Sequence, residues 1–429
     1  QPWRQTGESS FGGDEDLMAV HLISELPLVQ QAIRRAQSAW AHVDAVRLKN
    51  QKRVLDAFRS NHITEFHLTG TTGYGYNDPA REALNNVFAA SLQAEAAVVQ
   101  PQLISGTHAI TKSLFGILRP GDHLLSISGA PYDTLRQVIQ GPGKSSLRAW
   151  GIAYDEVELT PEGNIDIPAA LAAIRPETRM VLIQRSRGYS LRPSLSIAQI
   201  EEATDAIHQY RPDIVVFVDN CYGEFVEDQE PTNVGVDLMA GSLIKNPGGT
   251  LAPSGGYIAG RRDLVELAAE AITAPGLGSD VGPTFGLGRI LLQGLFMAPH
   301  VVGEAVIGAV TAAALFESMG YEVRPGVDDV RTDTVQVVIL NDPDKMRAFC
   351  RAVQQASPID AIVTPEPGDL PGYADPVIMA AGTFVQGGSL EFSADGPMRP
   401  PYAVFLQGGT SKEHIFIALE EVVTALEQL

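Results

Sequence analysis

Between about residue 80 and residue 260, short apolar runs alternate with helical patterns, and no other feature of this 429-residue sequence restricts the fold so sharply. The apolar runs lie at residues 96–100 (AAVVQ), 123–128 (HLLSIS), within 147–157, at 180–184 (MVLIQ) and at 214–219 (IVVFVD). Helical patterns fill the gaps at 81–92, 105–118, 134–139, 165–173 and 197–209, the fourth with Pro168 in its first turn. Residues 241–244 and 256–259 flank a Gly/Pro loop. Strands this apolar are buried on both faces, which predicts an α/β fold around a mostly parallel sheet with helices on each side. The length suits two packed domains. We expect a helical N-terminal segment at 1–60, a large domain at 61–300 and a small C-terminal α/β domain at 301–429. A helix at 305–319 would bridge the two domains, strands would lie at 335–340 and 361–363, and a last helix at 413–429. Within the first segment, helices are expected over 14–60, with Leu28, Ile33 and Trp40 on one pattern and Val43, Leu48 and Leu55 on a second.

A net charge of -20 disfavours nucleic acid and anionic membranes as partners. It leaves room for a local anion pocket, because oriented N–H groups rather than net charge make one. Two cysteines, Cys221 and Cys350, exclude a disulfide scaffold and a Cys-rich metal site. No His/Cys/Asp cluster has ligand spacing, so no catalytic metal is expected. No apolar run is read as membrane-spanning, and residues 1–16 lack a basic region followed by an apolar core. The expectation is a cytoplasmic protein that hides surface in an oligomer, since only 19% of residues are charged.

The chemistry starts from the seven lysines. Six lie in polar settings. Lys245 stands in Gly-Ser-Leu-Ile-Lys-Asn-Pro-Gly-Gly, just after a strand-like run. Desolvation there should lower its pKa and make the amine a Schiff-base nucleophile. Asp219 ends the strand-like run at 214–219, the edge at which open α/β sheets bind ligands. A carboxylate at that place either caps the next turn or pairs with a protonated ring nitrogen and keeps the ring electron-poor. Ser105-Gly106-Thr107-His108 follows a strand and opens a helix, so Gly106 and Thr107 offer backbone donors for a phosphate. Thr107 and Ser242 could add hydroxyls. The loop at 69–78 (TGTTGYGYND) carries three glycines and two tyrosines, Tyr74 and Tyr76.

Ser-Gly-Thr, then Tyr132 in Gly-Ala-Pro-Tyr-Asp-Thr, then Val-Asp-Asn, then Gly-Ser-Leu-Ile-Lys together resemble the Cys/Met-metabolism branch of fold type I pyridoxal-phosphate enzymes. Gln-Arg-Ser-Arg-Gly-Tyr at 184–189, Met-Arg-Pro-Pro-Tyr at 398–402, Gly-Tyr-Gly-Tyr-Asn-Asp at 73–78 and Phe-Ser-Ala-Asp-Gly-Pro at 392–397 are similar to the aluminium resistance / methionine gamma-lyase-like family. The resemblance runs from about residue 15 to the end. It implies that Lys245 holds pyridoxal 5'-phosphate and that Asp219 pairs with the pyridine nitrogen. Ser105, Gly106, Thr107 and Ser242 would hold the phosphate, and Tyr132 would stack on the ring. Tyr74 or Tyr76 would reach the phosphate of a neighbouring subunit, making a homodimer or homotetramer with shared sites. Arg399, Arg187 and Arg185 are the candidates for the bidentate arginine that a substrate carboxylate wants. His108 could stack or carry protons, or turn into the helix core. Glu224 reads as a helix or loop charge.

The implied reaction is carbon–sulfur lysis of a small sulfur amino acid, of the cystathionine beta-lyase or methionine gamma-lyase kind. The amino acid displaces Lys245, the freed amine takes the Cα proton, and thiol, ammonia and a 2-oxo acid leave. Tyr132 could set the ring angle or pass a proton to sulfur. An aminotransferase or another amino-acid enzyme of the same fold is the alternative, and a cofactor-binding regulatory protein with little turnover is a reading from another class. A dinucleotide-binding dehydrogenase fits poorly, because Gly73-Tyr74-Gly75 lacks a preceding strand.

Overall fold

The computed structural model describes residues 26–370 and 372–429. A long helix, α1 (Pro27–Ser60), opens the chain, and α2 (Pro79–Ser91) follows the glycine-rich loop. The alternating region then lays down β1 (Ala96–Gln100), α3 (Gly106–Ile117), β2 (His123–Ser126), α4 (Asp133–Gln140), β3 (Ala153–Glu156) and α5 (Ile167–Ala173). It continues with β4 (Thr178–Gln184), α6 (Ile197–Tyr210), β5 (Val215–Asp219), β6 (Leu238–Ser242), β7 (Gly256–Gly260) and α7 (Arg262–Ile272). These strands form one sheet in the order β1-β7-β6-β5-β4-β2-β3. The run from β6 to β3 is parallel, and β7 alone runs against both its neighbours. β6, β5 and β4 are the three central strands. All five residues of β5 and of β6 are buried, as expected of β-branched and small residues between helical layers.

The sheet has apolar clusters on both faces. One, including Val98, Leu114, Leu124, Leu182 and Phe217, lies under α3 and α7. The other, including Val99, Leu125, Val181, Val216 and Met239, merges with α1, α2 and the small domain. α8 (Gly288–Ser318) joins the two parts. It begins well before the expected residue 305 and runs through Pro299 across residue 300. A proline reads as a helix stop, but burial of Leu295, Ala298, Val301 and Val302 beside it offsets the missing hydrogen bond. α8 is also long and apolar enough to cross a membrane, contrary to the expectation that no run is; it is mostly buried as the core helix of this fold. The small sheet has the order β10-β11-β12-β9-β8, from β8 (Glu322–Arg324), β9 (Val335–Ile339), β10 (Val377–Ala380), β11 (Ser393–Pro397) and β12 (Ala403–Gln407), with α9 (Pro343–Gln355) and α10 (Lys412–Glu427) packed on it.

Three expectations change. The two helical patterns within 14–60 are one continuous helix from Pro27, with Leu48 exposed; residues 14–25 lie outside the described residues. Residues 361–363 form no strand, and Ile362 is open to solvent, since no neighbour there offers a ladder. The small sheet instead recruits Ser393–Pro397, a run with Gly and Pro that does not read as a strand. Pairing with β10 on one side and β12 on the other imposes it.

Candidate active site

The C-terminal ends of β1, β2, β4, β5 and β6 point to one edge of the large sheet, and the loops leaving them line a cleft of about 510 Å³. The β1–α3 loop contributes Ser105, Gly106 and Thr107; the stretch after β2 contributes Ser128 to Tyr132; β4 and its loop contribute Gln184, Ser186, Arg187, Tyr189 and Arg192. β5 ends in Asp219, followed by Cys221 and Tyr222, and β6 ends in Ser242, followed by Ile244 and Lys245. The small domain closes the far wall with Val335, Tyr373, Asp395, Arg399, Phe405 and Gln407.

Ser105 caps α3 by accepting a hydrogen bond from the His108 N–H. The next N–H groups, of Gly106 and Thr107, belong to the first helical turn and have no intrahelical partner. A Cβ at Gly106 would crowd Cys221 Sγ at 3.1 Å and Ser242 Cβ at 3.2 Å, so glycine allows this close approach. The absence of a Cβ draws the positive helix end against the Ser242 hydroxyl, a donor set suited to a phosphate. The hydroxyls of Thr107 and Tyr132 share a hydrogen bond of 2.8 Å, and the Tyr132 N–H donates to Gln184 Oε1 (2.8 Å), which fixes the phenol over the cleft. Burial pushes the Tyr132 pKa above the ordinary phenol value.

Asp219 is 3% exposed and accepts from the Cys221 N–H (3.1 Å). Burial raises its pKa, against the pull of the Lys245 charge. Lys245 Nζ stands 4.0 Å from the centroid of the Tyr222 ring. The sequence predicted a pKa below that of an ordinary lysine, and burial by itself acts in that direction. Cys221, Tyr222, Asp219 and Tyr132 around it work the other way and prevail, so its pKa lies above that of an ordinary lysine. An acid for a ring nitrogen, an amine for covalent attachment, a phenol over the cleft and a phosphate cradle therefore meet in one place, and the residues present fit pyridoxal phosphate.

The three arginines part company. Arg185 does not line the cleft. It is fully buried behind β5, where Nη1 donates to Asn220 Oδ1 (2.8 Å) and Nη2 pairs with Glu227 (2.7 Å). It is a packing arginine, and removing one partner of such a buried pair costs about 3–5 kcal/mol. Arg399 sits at the cleft mouth, half exposed, and is paired with Asp375 at 2.8 Å. Arg187 is buried in the cleft wall. Its Nη1 donates to the Arg324 carbonyl (3.2 Å), and its Nε lies 3.7 Å from Asp333 without a hydrogen bond. His108 turns its ring toward the Ile104 N–H (3.3 Å) and does not line the cleft. Glu224 is no surface charge: it is fully buried, accepts from the Tyr257 hydroxyl (2.7 Å) and has its pKa raised by burial to about 8.

Tyr74 and Tyr76 lie away from their own cleft, 75% and 58% exposed, with rings 5.6 Å apart. Their loop is held by Asp78, which accepts from the N–H and hydroxyl of Thr71 (2.9 and 2.7 Å) and from the Thr284 N–H (2.9 Å). These bonds outweigh burial and bring the Asp78 pKa down to about 2. Sequence reasoning missed Gln184, Tyr189, Arg192, Tyr222, Tyr373, Asp395 and Gln407. Tyr222 was detectable three residues after Asp219, and Asp395 lies inside the Phe-Ser-Ala-Asp-Gly-Pro string; Arg192 carries no such signal.

Sheet order, cleft and small domain define a fold type I pyridoxal-phosphate enzyme. The chain belongs to the methionine gamma-lyase family, whose model matches residues 25–427, and it is an enzyme of the carbon–sulfur lyase kind. It is 48% identical over 389 residues to the uncharacterized protein YnbB of Bacillus subtilis, covering 90% of this chain and 92% of that one. The solved structure of a carbon–sulfur lyase involved in aluminum resistance from Clostridium novyi NT superposes with a TM-score of 0.90 at 41% identity, over 97% of this chain and 99% of the other. L-methionine gamma-lyase of Fusobacterium nucleatum subsp. polymorphum is 28% identical over 196 residues, 45% of this chain and 42% of that protein.

Proposed function

We propose that this protein is a pyridoxal-phosphate-dependent lyase that cleaves a carbon–sulfur bond in a sulfur amino acid, releasing thiol, ammonia and a 2-oxo acid. The observation that carries the reading is the convergence of Lys245, Asp219, Tyr132 and the α3 N-terminus on one cleft. Lys245 would attach the cofactor, and its amine, when free, would be the base that takes the Cα proton. Asp219 holds a proton on the ring nitrogen. Gly106, Thr107 and Ser242, with Ser105 as cap, would hold the phosphate, and Tyr132 would pack on the ring. When bound, the cofactor supplies the electron sink for the carbanion. Arg187 takes the substrate carboxylate: it is buried in the cleft wall and its Nε, 3.7 Å from Asp333, has no hydrogen-bond partner among the described residues, whereas the half-exposed Arg399 is hydrogen-bonded to Asp375.

The test is direct. The purified protein should show a visible absorption band that borohydride removes, with the cofactor's mass added to the Lys245 peptide. Incubation with cystathionine, cysteine and methionine should release thiol and 2-oxo acid from at least one. A bound cofactor with no turnover on any amino acid would support a regulatory protein instead.

We also propose a homodimer, or a homotetramer built from it, in which Tyr74 or Tyr76 completes the phosphate site of the neighbour; their exposure on a loop fixed by Asp78 supports this. Tyr74→Phe and Lys245→Ala chains, each nearly inactive, should regain activity when mixed, because one site in a hybrid pair then has both groups intact. Hybrids that form and stay inactive would argue against shared sites. Both cysteines are free and buried, which suits work in the cytoplasm.

A further inference from the structure

The wall of the cleft contributed by the small domain contains a carboxyl group that the mechanism above does not use. Asp395, the middle residue of β11, is 5% exposed and lines the cleft. Gln407 Nε2 donates to its Oδ2 at 2.9 Å, and Oδ1 has no hydrogen-bond partner among the described residues. Beside it stands an aromatic surface: the Tyr189 ring lies 5.6 Å from that of Tyr373 and 5.2 Å from that of Phe405, and all three residues line the cleft. Aromatic rings are good neighbours for a thioether sulfur. A buried carboxyl with one oxygen left over, next to such a surface, calls for a chemical explanation.

We propose that Asp395, in its protonated form, is the acid that protonates the departing sulfur, while Tyr189, Tyr373 and Phe405 form the surface on which the sulfur chain rests. The inference rests on the lyase reading. In the step it serves, the carbon–sulfur bond breaks and its electron pair goes to sulfur. The Oδ1 proton passes to that sulfur, the thiol leaves, and the carboxylate regains a proton from water before the next turnover. The groups that act on Asp395 support the assignment. Burial raises its proton affinity, the nearby Tyr189 hydroxyl, the hydrogen bond from Gln407 and the charge of Lys245 lower it, and the balance is a pKa of about 7. Tyr373 and the buried Cys350 also feel its charge. Tyr132, the other candidate for this proton, shares its hydroxyl with Thr107 and holds its own proton more tightly than an ordinary phenol.

Leaving-group dependence tests the proposal. Thiol release is measured from the S-ethyl and the S-(4-nitrophenyl) conjugates of cysteine and homocysteine. An alkyl thiolate needs a proton to leave; a nitrophenyl thiolate does not. Asp395→Asn should lower turnover of the ethyl conjugate by about 100-fold or more, within the range of general-acid contributions, and that of the aryl conjugate by less than about 3-fold. Asp395→Ser should reproduce the discrimination, and retained aryl turnover shows that the variants fold. Equal losses on both conjugates in both variants, or no loss on either, overturn the proposal. A second readout needs no turnover. In substrate-free protein the infrared carbonyl stretch of a protonated carboxyl should be present near pH ~6 and fade toward pH ~8, with this component missing from Asp395→Asn. Its absence from the parent protein at the lower pH overturns the proposal as well. If the parent releases thiol from neither conjugate, the lyase reading itself fails and the inference falls with it.

Discussion

Lys245→Ala is expected to lower kcat by about 10,000-fold or more, the upper end of what a positioned general base contributes, because the same side chain also anchors the cofactor. The loss should be chemical rather than structural. Among the described residues Lys245 makes no ion pair, and its ammonium engages the Tyr222 ring at 4.0 Å. Removing it therefore leaves no carboxylate newly unpaired at contact distance. Thermal unfolding should shift little, while the borohydride-fixed mass on the Lys245 peptide should vanish. The measurement is initial-rate 2-oxo acid production on whichever sulfur amino acid the parent protein turns over. A kcat within tenfold of the parent would remove Lys245 from the mechanism and send the search to another amine.

Asp219→Asn should cost kcat about 100- to 1000-fold, the range found when one preorganised electrostatic contact to a transition state is removed. Asparagine keeps the shape of the side chain and an oxygen for the Cys221 N–H, now 3.1 Å from Asp219 Oδ1. What it loses is the negative charge that keeps a proton on the ring nitrogen. KM should change little, because Asp219 is 3% exposed at the end of β5 and the substrate carboxylate is assigned to Arg187. The visible absorption band should also move, reporting a ring that has lost its proton. A kcat loss under about 3-fold with an unmoved band would make Asp219 a turn cap.

These two residues were legible before any coordinates. Asp219 is the last residue of an apolar strand and Lys245 follows the next strand. A parallel sheet delivers successive strand ends to the same edge whatever the surrounding detail. Ser105, Gly106, Thr107 and Ser242 were legible for the same reason. The arginines were not. Strand alternation would put Arg185 and Arg187, two residues apart, on one side, but β4 ends at Gln184 and the loop beyond it sends them apart. One meets Asn220 and Glu227 behind β5 and the other enters the cleft wall. Glu224 was misread because a charged residue near a strand end is usually solvated; its burial depends on Tyr257, 33 positions away, donating a hydrogen bond to it.

The small domain shows the limit most clearly. Residues 361–363 look like a strand and are not one, whereas Ser393–Pro397 does not read as a strand and is the second strand of a five-stranded sheet. Strand formation there depends on the pairing with β10 and β12, and local composition does not record its neighbours. Asp395 was hidden with its strand, although the string that contains it had already been singled out. By itself the sequence determined the α/β class and the order in which the α3 N-terminus, Asp219 and Lys245 follow one another along one edge of the sheet. Periodicity, glycine at a helix start and a charge at a strand end are local signals. Only the tertiary structure decided which arginine lies in the cleft wall, which acids are buried and what the far wall is made of, because those properties arise from contacts between segments distant in the chain.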